Sequence, residues 1–214
     1  MAGAERASRH ALGVTGIRFP LPMDGQMFVF DVPRLLLAIA LAACVVAVPP
    51  SAADAAHKRS ECANSNLQPA AGNLADVRAA VLCLHNRERN ARGLPRLKQS
   101  AKLRRAAQGH SGDMVAERFF AHESPSGSDM ADRILGTGYA DGQGWSLGEN
   151  IAWGTGHLAT AAEIQRAWME SPGHRANILR REFREIGIGI AIGAPVDAGG
   201  LEGATYTADF GVRR

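Results

Sequence analysis

EIGIGIAIG, residues 185–193, is the stretch on which the fold turns. Isoleucine recurs at 186, 188, 190 and 192, and glycine at 187, 189 and 193, a period of two that belongs to a β-strand. Side chains alternate between the two faces of a sheet, so the isoleucines line one face and the other carries almost nothing above the backbone. Such a bare face expects a neighbouring element to lie very close against it. Downstream, ATYTADFGV at 204–212 alternates in the same way, and the connection between the two runs holds Gly, Pro and Asp as a loop does.

Upstream the period changes to that of helices. Thr160, Ala161, Ala162 and Glu163 form a capping box, and the helix they open carries Ile164, Ala167 and Trp168 on one side. Ser171 then suits an N-cap and Pro172 the first position of a second short helix, GHRANIL. Further back, Ser100 caps AKLRRAAQGHSGDMVAERF, in which Leu103, Ala106, Ala107, His110 and Met114 share a face. Asn73 caps a helix through Ala91, with Val77, Val81, Leu84 and His85 at core spacing and Gly93 as its stop. Leu94, Pro95 and Leu97 make an apolar connector, Met130 to Leu135 a short helix, and GENIAWG at 148–154 a short strand opened by Glu149. Helices come first and the best strands last, the order of an α+β domain.

The first third of the 214 residues reads differently. Leu35 to Val48, LLLAIALAACVVAV, is fourteen apolar residues between Arg34 and Pro49, shorter than the about 20 residues that span a bilayer and flanked as a secretory signal is. Cleavage after Ala53 or Ala55 satisfies the small-x-small rule and predicts a secreted, extracellular chain. A lipobox reading competes: Leu41, Ala42, Ala43 and Cys44 would make Cys44 a lipidated N-terminus and anchor the protein at the cell surface. Residues 1–26, which contain Met23 and run up to Met27, read as an over-long start. The division is thus a signal region over 1–55, with the signal peptide at 27–55, a tether over 56–72, and one domain over 73–214.

From His57 onward 20 Lys plus Arg stand against 17 Asp plus Glu, a dispersed excess of three that excludes a nucleic-acid partner, since that chemistry wants a clustered basic face. Membrane contact is expected only through the signal or through lipidation at Cys44. Cys62 and Cys83 remain after cleavage, and in an exported chain two cysteines 21 residues apart read as a disulfide rather than a zinc pair. The crosslink would staple the leader segment to the first helix and stabilise the fold by about 3 kcal/mol.

Chemistry concentrates in three segments: FFAHESP at 119–125, GENIAWG at 148–154 and AWMESPGHRANIL at 167–179. They place His122 at a loop entrance, Glu149 at a strand and His174 in the first turn of a helix, where the backbone dipole disfavours imidazolium and keeps a ligand-competent ring. Read alone, His122 could simply cap the preceding helix, Glu149 could be an exposed edge charge, and His110 is a satisfied core histidine before it is a ligand. Asn150 reads as an organiser of local backbone.

Together the three segments resemble the signature of the CAP superfamily, also called SCP-like, in its bacterial extracellular branch, over roughly 74–214. The resemblance implies a three-layer α-β-α sandwich around a central antiparallel sheet. It also implies a cleft in which His122, Glu149 and His174 hold a divalent cation, zinc or calcium, weakly. The family's fourth position, a second acid, falls on Ser171, with Glu170 one residue earlier. Two imidazoles and a carboxylate suit a borderline cation. The same three residues are also the catalytic candidates. Three functions stay open at this point: a secreted module binding a cation or small ligand; a hydrolase of peptide or cell-wall material, with Ser124, Ser126 or Ser171 as nucleophile; and an extracellular scaffold for a protein or cell-wall partner.

Overall fold

The computed structural model describes residues 62–140 and 144–213. The signal region, both cleavage sites and Cys44 lie outside them. Among the described residues, five α-helices and four strands follow in the order α1 (Leu74–Asn90), β1 (Lys98–Gln99), α2 (Ala101–Ala116), α3 (Met130–Gly136), β2 (Trp145–Thr155), α4 (Ala161–Glu170), α5 (Pro172–Leu179), β3 (Glu185–Ile192) and β4 (Gly203–Arg213), with a 3-10 turn at Gly156–Ala159 before α4.

The sheet order is β1-β3-β4-β2. The three long strands are antiparallel, as expected, with Gly187 and Glu149 both facing Asp209 across the ladders. The fourth strand departs from the all-antiparallel expectation: Lys98 and Gln99, which follow the apolar connector and belong to no element read from the sequence, pair parallel to Glu185 and Ile186. Two residues carry no periodicity, so the pairing is set by where α1 and α2 place the connector rather than by its own side chains.

Isoleucines 186, 188 and 190 bury one face of β3 under α1 and α4, in a core shared with Val77, Val81, Leu84, Ile164, Trp168, Tyr206 and Phe210. The glycine face receives α2. A methyl group on Gly187 would fall inside the backbone at Leu103 and Arg104, and one on Gly189 inside that at Ala107. The bare face therefore lets a helix axis approach to backbone contact, and Ser111 Oγ on α2 reaches Thr207 Oγ1 on β4 at 2.9 Å. α3 packs on α2 and on β2, around Leu103, Ala106, Ile134, Tyr139 and Leu147. The three layers are α2 with α3, the sheet, and α1 with α4 and α5.

Several caps behave as their residue types predict. Ser100 Oγ accepts from Leu103 N–H at 3.4 Å and Thr160 Oγ1 from Glu163 N–H at 3.5 Å. Asn73 occupies the N-cap position of α1 without capping it: its side chain turns back to bond Ala70 N–H and Gln68 C=O and so shapes the preceding turn. From Cys62 onward, the segment read as a tether lies on the domain. Cys62 is joined to Cys83 of α1, Ser65 C=O accepts from Ala162 N–H, and Leu67 packs on the core.

Arg89, in the last turn of α1, is wholly buried, and its hydrogen-bond partners among the described residues are carbonyls: Pro95, Ile178, Arg180 and Phe183, at 2.7 to 3.0 Å. Its planar fork gathers three chain segments at one point, a geometry that a lysine does not offer.

Candidate functional site

Arg118 takes a left-handed conformation, φ 56°, just past the end of α2 and turns the chain into the loop that carries His122. Arg133 on α3 fixes that loop from below. Its Nη2 donates to His122 C=O at 2.9 Å and its Nη1 to Ser128 C=O at 3.0 Å. The same Nη2 reaches Glu149 Oε2 at 2.8 Å, and Nδ1–H of His122 reaches Glu149 Oε1 at 2.8 Å.

Glu149 sits inside β2 rather than at its start, and it is buried, not an exposed edge charge. Burial alone would raise its pKa, but the His122 hydrogen bond and the Arg133 guanidinium outweigh that and hold it below the ordinary carboxylate value. The capping role considered for His122 gives way to this pairing, because the ring points at a carboxylate on another element.

Asn150, the next residue of β2, faces the opposite layer. Its Nδ2–H donates to His174 C=O at 3.0 Å, and its Oδ1 accepts from Asn177 Nδ2–H at 2.9 Å. Asn177 also donates to Glu149 C=O at 3.1 Å, and Trp168 Nε1–H to Ile151 C=O at 3.1 Å. Side chains from α4 and α5 thus cover the edge of β2 that no strand pairs among the described residues. Gly148 makes the approach feasible: a methyl there would stand 2.9 Å from the Phe183 ring and 3.1 Å from Asn177 Oδ1.

His174 is the third residue of α5, in the helical first turn read from the sequence. The residue is 1% exposed, and neither ring nitrogen has a hydrogen-bond partner among the described residues. Burial first, and the charge of His122 second, lower its pKa to about 4, so the ring is neutral at ordinary pH. His110 is the core histidine its stripe suggested, with one nitrogen within 3.0 Å of Ala121 C=O and the other, Nδ1, without a partner among the described residues. Burial lowers its pKa, while the nearby Glu149 works to raise it.

The residues proposed for the fourth position lie apart from this cluster in character. Glu170 is turned to solvent and pairs with Arg166 at 3.1 Å. Ser171 holds the N-cap position of α5 without a side-chain cap bond. Of the other serines, Ser124 Oγ receives a long contact of 3.5 Å from Arg133, and Ser126 is exposed. Among the described residues no three His, Cys, Asp or Glu side chains form a ready metal-binding group.

Two functional-looking residues escaped the sequence reading. Arg133 was visible only as part of a short helix. Asp209 was legible in principle: it shares the parity of Thr205 and Thr207 in β4 and so faces the layer that the glycines of β3 mark as tightly covered. It is wholly buried opposite Glu149, with neither oxygen receiving a hydrogen bond among the described residues. What the cluster offers chemically is an anion locked between a guanidinium and an imidazole, with the neutral ring of His174 near enough for the charge of His122 to bear on it.

Residues 82–207 match the sequence pattern of the cysteine-rich secretory protein family, CAP. The chain is 38% identical over 109 residues to the uncharacterized protein YkwD of Bacillus subtilis (strain 168), covering 51% of this chain and 40% of YkwD. It is 34% identical over 110 residues to the uncharacterized membrane protein YlbC of the same organism, covering 51% of this chain and 30% of YlbC. The chain therefore spans less than half the length of either relative. Among solved structures, an extracellular protein containing a SCP domain from Bacillus anthracis superposes with a TM-score of 0.51 at 26% identity, over 69% of this chain and 45% of that one. An outer surface protein from Borrelia burgdorferi shares the fold with a TM-score of 0.53 at 17% identity, over 65% of this chain and 94% of that one.

Proposed function

This chain belongs to the cysteine-rich secretory protein (CAP) family, and we propose that it is an exported binding domain whose cleft takes a divalent cation at the imidazoles of His122 and His174. The observation that carries this reading is the His174 ring, buried and neutral with two nitrogens that nothing in the described fold satisfies. A buried polar group in that condition is destabilising until a partner arrives, and a neutral imidazole is a good ligand for a borderline cation. Glu149 supports the reading from behind. A carboxylate that accepts the Nδ1–H of a histidine fixes the ring and leaves Nε2 as its basic nitrogen, the arrangement that backs metal-binding histidines. Both Glu149 oxygens are engaged, so Glu149 orients His122 and stays off the ion.

Two rings without a direct carboxylate favour zinc over the hard cations calcium and magnesium, and they bind it weakly. Export is inferred from the apolar run at 35–48, and the Cys62–Cys83 disulfide agrees with it, since such bonds persist in oxidising compartments.

Titration calorimetry with zinc, calcium and magnesium tests the cation. Heat is expected with zinc, lost in His174→Ala and in His122→Ala, and weakened roughly tenfold to a hundredfold in Glu149→Ala. Absence of zinc heat, or a signal that survives removal of both rings, overturns the reading. A histidine backed by a buried carboxylate is also the base half of a hydrolytic site. Peptide and peptidoglycan substrates therefore belong in the same experiment, with Glu149→Ala as the control.

A further inference from the structure

The edge of β3 that faces away from β4 is only partly covered. β1 pairs with Glu185 and Ile186 and then ends, and Ser100 N–H donates to Ile186 C=O at 2.9 Å as the chain turns into α2. Further along α2, Gln108 clasps Ile190: its Nε2–H donates to Ile190 C=O at 3.0 Å, and its Oε1 accepts Ile190 N–H at 3.2 Å. The N–H and C=O of one strand residue point to the same side, and every second residue repeats the direction, so those of Ile188 are aimed at this edge too. Ile188 is buried, and neither group has a partner there among the described residues. A backbone donor and acceptor left in that state are costly until something bonds them.

This gap opens into a small groove lined by Arg78 of α1 and Arg104 of α2, with Gln99 and Ser100 at its rim. α1 covers the isoleucine face of the sheet and α2 the glycine face, so the two arginines straddle the edge from opposite layers. Neither makes an ion pair or a side-chain hydrogen bond among the described residues. Of the nearby acids, Glu185 is taken by Arg213 and Tyr139, and no ion pair joins Asp76 to Arg78. Burial first, and the charge of Arg104 second, hold the Arg78 guanidinium below the ordinary arginine value, as befits two like charges with no anion between them. The groove measures about 210 Å³, below the about 300 Å³ at which pockets for whole small molecules begin. It therefore suits the end group of something longer.

We propose that this groove binds the C-terminal residue of a peptide, whose carboxylate accepts from Ile188 N–H and from Arg78 and Arg104 while its own N–H donates to Ile188 C=O. The four groups select that chemistry between them. A bare oxyanion would satisfy the N–H and the arginines but would face the Ile188 carbonyl with charge of the same sign. An internal peptide segment would bond Ile188 and leave both guanidinium groups unanswered. A residue that carries an amide N–H and a free carboxylate on one carbon serves all four, as strand addition and carboxylate capture do in other peptide sites. Ser100 and Gln108 close the edge on either side of Ile188, so the register is fixed at a single residue. The groove lies at the opposite edge of the sheet from Glu149, with β3 and β4 between them, and is independent of what the histidines hold.

NMR of the whole protein labelled with nitrogen-15 decides it, with three probes added in turn: acetyl-alanyl-alanine, the same peptide as its C-terminal amide, and inorganic phosphate. The free acid is expected to shift the backbone amide resonance of Ile188 saturably, the amide to leave it in place, and phosphate to act more weakly than the acid. These arms use the wild type and require no variant to fold. Arg78→Gln and Arg104→Gln are each expected to weaken the acid roughly tenfold, and the double variant to abolish the response. Since the two charges have no partner to lose, the variants are expected to melt no lower than the wild type, which separates lost binding from lost fold. No shift at Ile188, an equal response to the amide, a phosphate response as strong as that to the acid, or binding that survives the double variant overturns the proposal.

Discussion

The carboxylate of Glu149 is held by Nδ1–H of His122 and Nη2–H of Arg133, both at 2.8 Å, with its side chain 2% exposed. Removing its charge leaves the Arg133 guanidinium, 10% exposed, without an anion in a place that water hardly reaches. Breaking a buried pair from one side is far more destabilising than exchanging both members, because the survivor stays charged. Glu149→Gln is therefore expected to lower the free energy of unfolding by roughly 3 kcal/mol, read from urea denaturation. The double variant Glu149→Gln, Arg133→Met is expected to recover part of that. A single variant as stable as the wild type would show that the pair is not held as described. The sequence exposed only half of this unit: the GEN segment marked Glu149, whereas Arg133 lies in a seven-residue helix with no unusual pattern. A guanidinium on a short helix looks like any solvated charge until the fold brings it under another segment.

At the scale of single elements, the glycine face of β3 and the helix α2 are one feature read twice. The alternation in EIGIGIAIG predicted a close neighbour, and α2 is that neighbour. Gly189→Ala puts a methyl into the backbone at Ala107, where no side chain can rotate away, so α2 must lift off the sheet. Overpacking of this kind destabilises by about 3 kcal/mol or more and is expected to lower the melting temperature by many degrees in calorimetry. A melting point within a degree of the wild type would contradict the packing.

Helix α1 supplies a pH-dependent element through His85. Its ring is wholly buried, stacked on Phe210 and edge-on to Trp168, with Nδ1 3.0 Å from Val81 C=O. Burial lowers its pKa from 6.5 to about 4. The unfolded chain takes up this proton near 6.5 while the folded chain refuses it until about 4, so stability is full above pH 6.5 and declines as the pH falls toward 4. His174 acts in the same window and with the same sign. Between pH 7 and 4.5 the unfolding free energy is expected to fall by on the order of 2 to 3 kcal/mol for each ring. His85→Gln, compared by urea denaturation at the two pH values, is expected to show a shallower fall, and an equally steep one would remove His85 from the account.

For the whole molecule, the Cys62–Cys83 bond ties the entry segment to α1, and Arg89 ties the far end of α1 to the turn between α5 and β3. The bond spans 21 residues of sequence, and its loss relaxes the unfolded chain more than the folded one. Cys62→Ser with Cys83→Ser is expected to reduce stability by about 3 kcal/mol in urea while leaving the sheet intact by circular dichroism. An unchanged midpoint would mean that packing around Leu67 already holds the segment.

By itself the sequence determined the α+β class, the helix starts at Ser100 and Thr160, both faces of β3, the cysteine pair, and the three segments that carry His122, Glu149 and His174. The class, the helix starts and the faces of β3 are written in spacing, which survives any arrangement of the elements, whereas the three segments were marked by their resemblance to a known family and the cysteine pair by an exported context. Tertiary structure decided what each site residue touches. The Arg133 guanidinium under Glu149, the carbonyls around Arg89, the parallel pairing of Lys98 and Gln99, and the meeting of Asp209 with the distant Glu149 all join positions with no common period. Contacts of that kind depend on strand register and on how far a helix settles onto a sheet, quantities that exist only once the layers have packed.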